Sequence, residues 1–252
     1  MRPADLRRAP GYVLKLAGSV AAHARLRRVG ELPPEEALSF ARSFRPWRGG
    51  SIAPTQQDQE ILALLRLLAQ RRPRTVVEIG TDTGGTLFLW TRVAAPDAVL
   101  VAVDNQPIGA LGTWSAWTIV RRGFARARQR LVFLIPRDSH DLRTLEELRG
   151  VLGDRRIDFL FVDGDHEYEG VKRDFELYSP LVAPGGLIAF HDVNESIWPG
   201  VVRLWQELKP QHETLELIAN DPPGRMGIGV INVPPPVTAA DAQEGARVSE
   251  PR

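Results

Sequence analysis

Between about residues 55 and 233 the apolar positions switch regularly between two periods. Apolar residues recurring every three to four positions predict helices over Gln57–Gln70, Leu87–Val93, Trp114–Arg128, Leu142–Leu152, Tyr168–Tyr178 and Val201–Leu208. Between them lie short, nearly continuous apolar runs rich in β-branched and aromatic residues. These predict strands at Thr75–Ile79, Ala98–Val103, Leu131–Ile135, Ile157–Val162 and Leu187–Phe190, with a closing pair at Leu215–Ile218 and Met226–Val233. Strands alternating with helices imply right-handed crossovers and parallel pairing. Near-continuous apolar strands suit a sheet covered on both faces. The expected fold is therefore α/β: a doubly wound, mostly parallel, seven-stranded Rossmann-like sheet over residues 55–233. Ligands of such sheets bind beyond the carboxyl ends of the strands, so the residues just after each strand carry the functional information.

The flanks read differently. Residues 1–54 form an N-terminal helical extension and connector. Its first 30 residues hold seven basic side chains (Arg2, Arg7, Arg8, Lys15, Arg25, Arg27, Arg28) against the single acid Asp5. Val13, Leu14, Leu16, Ala17, Val20 and Ala21 fall among them at helical spacing. Such a basic amphipathic helix either touches an anionic membrane surface or packs on the domain or on a second subunit, giving a homo-oligomer. Pro33, Pro34, Pro46, Gly49, Gly50 and Pro54 punctuate residues 31–54, with room for a short helix over Glu35–Ser43. Residues 234–252 have little to bury and are expected to be a disordered tail.

Composition narrows the function classes. Lys and Arg total 32 and Asp and Glu 31, a net charge of +1 that argues against a general nucleic-acid binder. There is no cysteine, which removes disulfide scaffolds, thiolate metal sites and cysteine nucleophiles and fits a cytoplasmic protein. No apolar run is long enough to predict a transmembrane helix, and Lys15 interrupts what could otherwise be a signal sequence.

The first strand runs into Glu78-Ile79-Gly80-Thr81-Asp82-Thr83-Gly84-Gly85-Thr86. Glycine here lets the backbone approach a ligand. The turn lacks the lysine of a phosphate loop, and Asp82 stands where a dinucleotide fingerprint needs its second glycine. The spacing of Glu78, Gly80 and Gly84 resembles the first motif of class I S-adenosylmethionine (SAM) methyltransferases, with Thr81 and Gly85 in the same turn. Asp104 closes the second strand, where a carboxylate can accept both hydroxyls of a ribose, and Asn105 follows it. NAD would share that feature. Asp138 and Ser139, after the third strand, are adenosine candidates, with helix capping as the alternative reading of Asp138.

The fourth strand ends in Asp163-Gly164-Asp165-His166-Glu167-Tyr168, and the fifth in Phe190-His191-Asp192. If these strands are neighbours, Asp163, His191 and Asp192 converge on one rim as a divalent-cation site. Carboxylates with open water positions suit Mg²⁺, and an imidazole shifts preference toward Mn²⁺ or Fe²⁺. Asp165 reads as a loop-organising acid. Tyr168 and Asp174 are expected to orient the following helix, and Trp47, Trp114 and Trp117 to form either a pocket wall or core. The arginines at 121–130 are expected to be a solvated face.

Asp-Gly-Asp-His-x-Tyr-x-Gly-Val-x-x-Asp, then Leu-x-x-Pro-Gly-Gly and Phe-His-Asp, resembles the class I methyltransferases that include macrolide-sugar and rhamnosyl O-methyltransferases, together with cephalosporin-hydroxylase-like proteins. The resemblance covers residues 55–233. It implies SAM as cofactor, a divalent metal, most simply Mg²⁺, held by Asp163, His191 and Asp192, and His166 as general base beside Asp163. One position departs: those sugar methyltransferases carry an acidic pair where this chain has His191-Asp192. The expected activity is metal-assisted O-methylation of a sugar or glycosylated small molecule. The alternatives are a hydroxylase-like enzyme on the same fold and a non-catalytic SAM-binding scaffold.

Overall fold

The computed structural model describes residues 9–105, 113–126, 128–194, 198–220 and 226–235. Helices α1 (Ala9–Leu26), α2 (Pro34–Ser43) and α3 (Asp58–Arg71) precede the first strand, β1 (Thr75–Ile79). Then follow α4 (Gly85–Val93), β2 (Val99–Val103), α5 (Thr113–Arg122), β3 (Arg130–Leu134), α6 (Leu142–Leu152) and β4 (Ile157–Val162). The chain continues through α7 (Tyr168–Tyr178), β5 (Val182–His191), α8 (Pro199–Leu208), β6 (Glu213–Leu217) and β7 (Ile228–Asn232). The seven strands form one sheet in the order β3-β2-β1-β4-β5-β7-β6. All pairs from β3 to β5 are parallel, and β7 runs antiparallel to both β5 and β6.

The period-2 pattern sorts side chains to two cores. Phe159 and Phe161 of β4 face a cluster with Leu64, Leu65, Phe88 and Trp90, on the side of α1–α5. Leu160 and Val162 face the opposite cluster with Leu148, Val171 and Trp205, on the side of α6–α8. Strand order reverses between β1 and β4, and β4 lies directly beside β5. Their carboxyl ends thus share a rim, which is the arrangement the sequence pattern required.

Several boundaries move. The helix expected over Trp114–Arg128 ends at Arg122, because the chain turns at Gly123, where a Cβ would stand 3.1 Å from the His23 Cα and carbonyl oxygen. Strand β5 begins at Val182 and takes in the Pro184-Gly185-Gly186 turn, with a register shift against β4 between Ile157 and Phe159. Helix α4 starts at Gly85, not Leu87.

The extension packs on the domain. Ala22 and Leu26 of α1 are buried. His23, expected at the surface, is half-buried with Nδ1 3.0 Å from the Ile119 carbonyl. Arg27 donates to the Ala125 carbonyl at 2.7 Å. Tyr12, Val13, Leu14 and Val20 on the same helix remain exposed. Trp47 and Trp117 pack against each other at 4.7 Å within the core and do not line the cavity; of the expected pocket aromatics, the Trp114 side chain lies outside the described residues. So do residues 1–8 of the basic segment and 236–252 of the tail. No helix among the described residues is long and apolar enough to cross a membrane.

Candidate active site at the carboxyl ends of the strands

One cavity of about 990 Å³ opens above β1, β2, β4 and β5. Its floor is the turn after β1. Gly80 has φ +81°, and a Cβ there would stand 1.9 Å from the Asp163 carbonyl oxygen, so only glycine lets the ends of β1 and β4 meet. At Gly85 a Cβ would reach 2.5 Å from the Ile52 carbonyl, because the connector crosses the start of α4 at that point. Gly80, Thr81 and Gly85 line the cavity. Gly84 caps α4 and faces the Phe124 ring.

Glu78 does not line the cavity, contrary to its expected contact with the cofactor. It is fully buried, accepting a hydrogen bond from the Trp90 indole at 2.7 Å and another from the Thr81 hydroxyl. Burial pushes its carboxyl up to about 7, against the pull of those hydrogen bonds. Glu78 therefore shapes the glycine turn from behind. Asp104 braces it from the side: its Oδ2 accepts from the Thr81 and Asp82 amides at 2.9 and 3.0 Å. Asp104 and Asn105 both line the cavity. Arg121, expected in a solvated face, is buried and donates to the Asp82 carbonyl.

Asp138 and Ser139 line the cavity on the side of β2 and β3. Asp138 accepts from the His140 amide at 2.9 Å, whereas the cap of α6 is Asp141, which accepts from the Arg143 amide. Asp174 lies fully buried behind this turn, with its Oδ1 3.4 Å from His140 Nε2; burial pushes its carboxyl up to about 6. Asp165 accepts from the Glu167 amide at 2.9 Å and organises the loop after β4, as expected. The Tyr168 hydroxyl donates to Glu207 at 2.7 Å, which joins α7 to α8.

The polar cluster stands at the ends of β4 and β5. Asp163 Oδ1 lies 3.1 Å from His191 Nδ1 and 3.7 Å from His166 Nε2. Asp192 Oδ2 lies 3.3 Å from each imidazole. Asp192 adopts the left-handed φ of +63°. Hydrogen bonds that the His166 imidazole donates to Asp163 and then to Asp192 hold it up at about 9, although partial burial opposes this. Burial alone would lower His191; the Asp163 and Asp192 charges outweigh it and push that imidazole up to about 10. Burial likewise opposes the ionised form of Asp192, yet the two imidazoles hold its carboxyl far below the usual range.

The sequence pattern missed three contributors. Gln56, from the connector, is buried and donates from Nε2 to Asp163 Oδ2 at 2.7 Å. Trp198, at the start of α8, stacks beside His166 with ring centroids 4.5 Å apart. Met226, just before β7, lines the same cavity. The loop bearing Met226 is held by Glu60, which accepts from the Ala219 and Gly227 amides.

Comparison with known proteins agrees with this geometry. Residues 77–193 match a family model described as a methyltransferase domain. The match covers the stretch from β1 to the end of β5. Among curated proteins it is similar to the uncharacterized protein y4gI of Sinorhizobium fredii, 33% identical over 166 residues, covering 64% of this chain and 17% of that protein. The uncharacterized protein R132 of Acanthamoeba polyphaga mimivirus is 50% identical over 42 residues, 17% of this chain and 19% of that protein. The matches thus span less than a fifth of either relative. Among solved structures, the O-methyltransferase TomG from Streptomyces achromogenes, in complex with SAM, superposes with TM-score 0.51 at 18% identity, covering 82% of this chain and 91% of that one. MycE of the mycinamycin biosynthetic pathway, in complex with Mg and SAH, gives 0.55 at 17% identity, covering 82% and 56%. These two likenesses show that the chain has the Rossmann-like class I methyltransferase fold.

Proposed function

We propose that the domain transfers a methyl group from SAM to a hydroxyl oxygen of a sugar or glycosylated small molecule, assisted by a divalent cation. One observation carries this reading: the glycine turn and the Asp163–His166–His191–Asp192 cluster line the same cavity. The solved complexes of TomG with SAM and of MycE with Mg and SAH support it.

The donor set fits a small cation. Asp163, His191 and Asp192 each offer one ligand atom, all within 4.8 Å of one another. Their closest separations, 3.1 and 3.3 Å, are those of adjacent ligands around an octahedral ion with bonds of about 2.1 Å. A cation held there supplies Lewis acidity that lowers the pKa of an acceptor hydroxyl.

The chain's own groups do the rest. Asp104 is placed to accept from the ribose hydroxyls, the Ser139 turn flanks the adenine, and the turn at Gly80 leaves room for the methionine part. Once a cation offsets the Asp163 and Asp192 charges that hold it protonated, His166 Nε2 can take the hydroxyl proton, and Trp198 walls the acceptor side. The C–S bond breaks as the O–CH₃ bond forms, so the sulfonium leaves as neutral SAH. The work of the domain is alignment of oxygen, methyl carbon and sulfur.

Calorimetry with SAM, SAH and NAD tests the cofactor. Binding of SAM and SAH without NAD is expected, and NAD binding alone overturns the assignment. Methyl transfer to a panel of hydroxylated sugars, measured with and without EDTA, tests the metal; activity undiminished by chelation removes it.

A further inference from the structure

The Asp163 carboxylate is divided between two neighbours. Its Oδ1 faces the cluster, and its Oδ2 is taken by the Gln56 amide at 2.7 Å. A carboxylate can only accept, so the atom of Gln56 that faces it is the nitrogen. Gln56 is buried and cannot easily swing away. Its backbone is also clamped: Arg42 donates to the Gln56 carbonyl at 2.6 Å and to the Pro54 carbonyl, and pairs with Asp58 at 2.6 Å. The connector thus holds a neutral donor against one oxygen of the acid while leaving the carboxylate's charge intact.

We propose that Gln56 is a specificity-determining positioning residue that confines Asp163 to one-oxygen ligation, so that the centre prefers a small six-coordinate cation (Mg²⁺ or Mn²⁺) over Ca²⁺. This rests on the metal-assisted reading above. The physical basis is coordination number. Ca²⁺ takes six to eight oxygens at about 2.3–2.6 Å and readily uses both oxygens of one carboxylate. A smaller octahedral ion needs one oxygen from each acid and completes its shell with water. For Asp163 to chelate Ca²⁺ through both oxygens, the Gln56 hydrogen bond must break. An ion using Oδ1 alone keeps that bond, so Gln56 penalises one mode of binding and spares the other.

The test measures ion binding on the full chain, independently of turnover. Mn²⁺ affinity is read by electron paramagnetic resonance and Ca²⁺ affinity by competition, for the wild type, Gln56→Leu and Gln56→Asn. Leucine removes the donor, and asparagine withdraws it by one methylene, so the shorter variant serves if the first fails to fold. The expected result is a wild-type preference for Mn²⁺ that narrows about tenfold in both variants, the effect of one hydrogen bond to a charged group. An unchanged ratio in variants that still bind Mn²⁺ overturns the inference alone. Absence of Mn²⁺ binding in the wild type overturns the metal reading, and this inference with it.

Discussion

Glu78 and Trp90 meet in full burial, the indole nitrogen donating to the carboxylate at 2.7 Å beneath the glycine turn. Because burial raises the folded-state carboxyl from 4.5 to about 7, its contribution to stability has a definite sign. The contribution is complete below about pH 4.5 and is lost as pH rises through about 7. Glu78→Gln keeps the size and one acceptor but cannot ionise. The difference in unfolding free energy between wild type and variant should therefore shift in the variant's favour between pH 5 and 8, by up to about 3 kcal/mol. Urea denaturation at several pH values measures it. A difference independent of pH would show that the carboxyl ionises as freely in the fold as in the unfolded chain.

Gly80 and Gly185 share a positive φ, +81° and +78°, but not their surroundings. A Cβ at Gly80 strikes the Asp163 backbone, whereas at Gly185 nothing lies within 4 Å. Gly185→Ala should cost only the left-handed backbone, roughly 1–2 kcal/mol. Gly80→Ala must also part β1 from β4. It should destabilise several-fold more and abolish SAH binding. Thermal melts and SAH calorimetry on both variants check the ordering, and equal losses would sink the steric argument.

The sheet was legible because alternating periods survive in every strand and helix that contributes to it. The rim acids were legible because Asp163 and Asp192 directly follow apolar strands and such positions point to the ligand side. Glu78 misled for a physical reason: a carboxylate beside a glycine turn reads the same whether it faces a ligand or turns back under the turn to meet Trp90, 12 residues on. Gln56 was hidden because its partner lies 107 residues away and the connector around it has no periodicity. Arg121 and Arg126 looked solvated among their neighbouring arginines, yet Arg121 donates to the Asp82 carbonyl and Arg126 to the Ala94 carbonyl. Long-range polar pairing leaves no local pattern.

His166 stands 3.3 Å from Asp192 and beside Trp198, and lines the cavity. His166→Gln should leave SAH affinity within about twofold. Turnover should fall about 10²–10⁴-fold, the usual worth of a positioned proton acceptor. Asp192→Asn should lower both turnover and Mn²⁺ binding. Steady-state kinetics alongside SAH calorimetry separate these effects. Full activity in His166→Gln would remove that imidazole from the chemistry.

Helix α1 presents its apolar side outward. Val13, Leu14 and Val20 are 60, 71 and 58% exposed, while Ser19, Ala22 and Leu26 face the domain. Substitutions at the exposed positions therefore leave the domain core untouched. Arg28 is exposed at the end of the helix, and Arg25 lies over the Phe44 ring. An apolar face bordered by basic residues suits an anionic lipid surface, whose charge adds about 1 kcal/mol per basic residue near it. The protein should float with phosphatidylglycerol-containing vesicles, less so at high salt, and lose this with Val13→Asp and Val20→Asp combined. Pure phosphatidylcholine vesicles should hold it weakly. Flotation unaffected by the two substitutions would sink the membrane reading. A dimer by light scattering that the same substitutions dissociate would assign the face to a second copy of the chain instead.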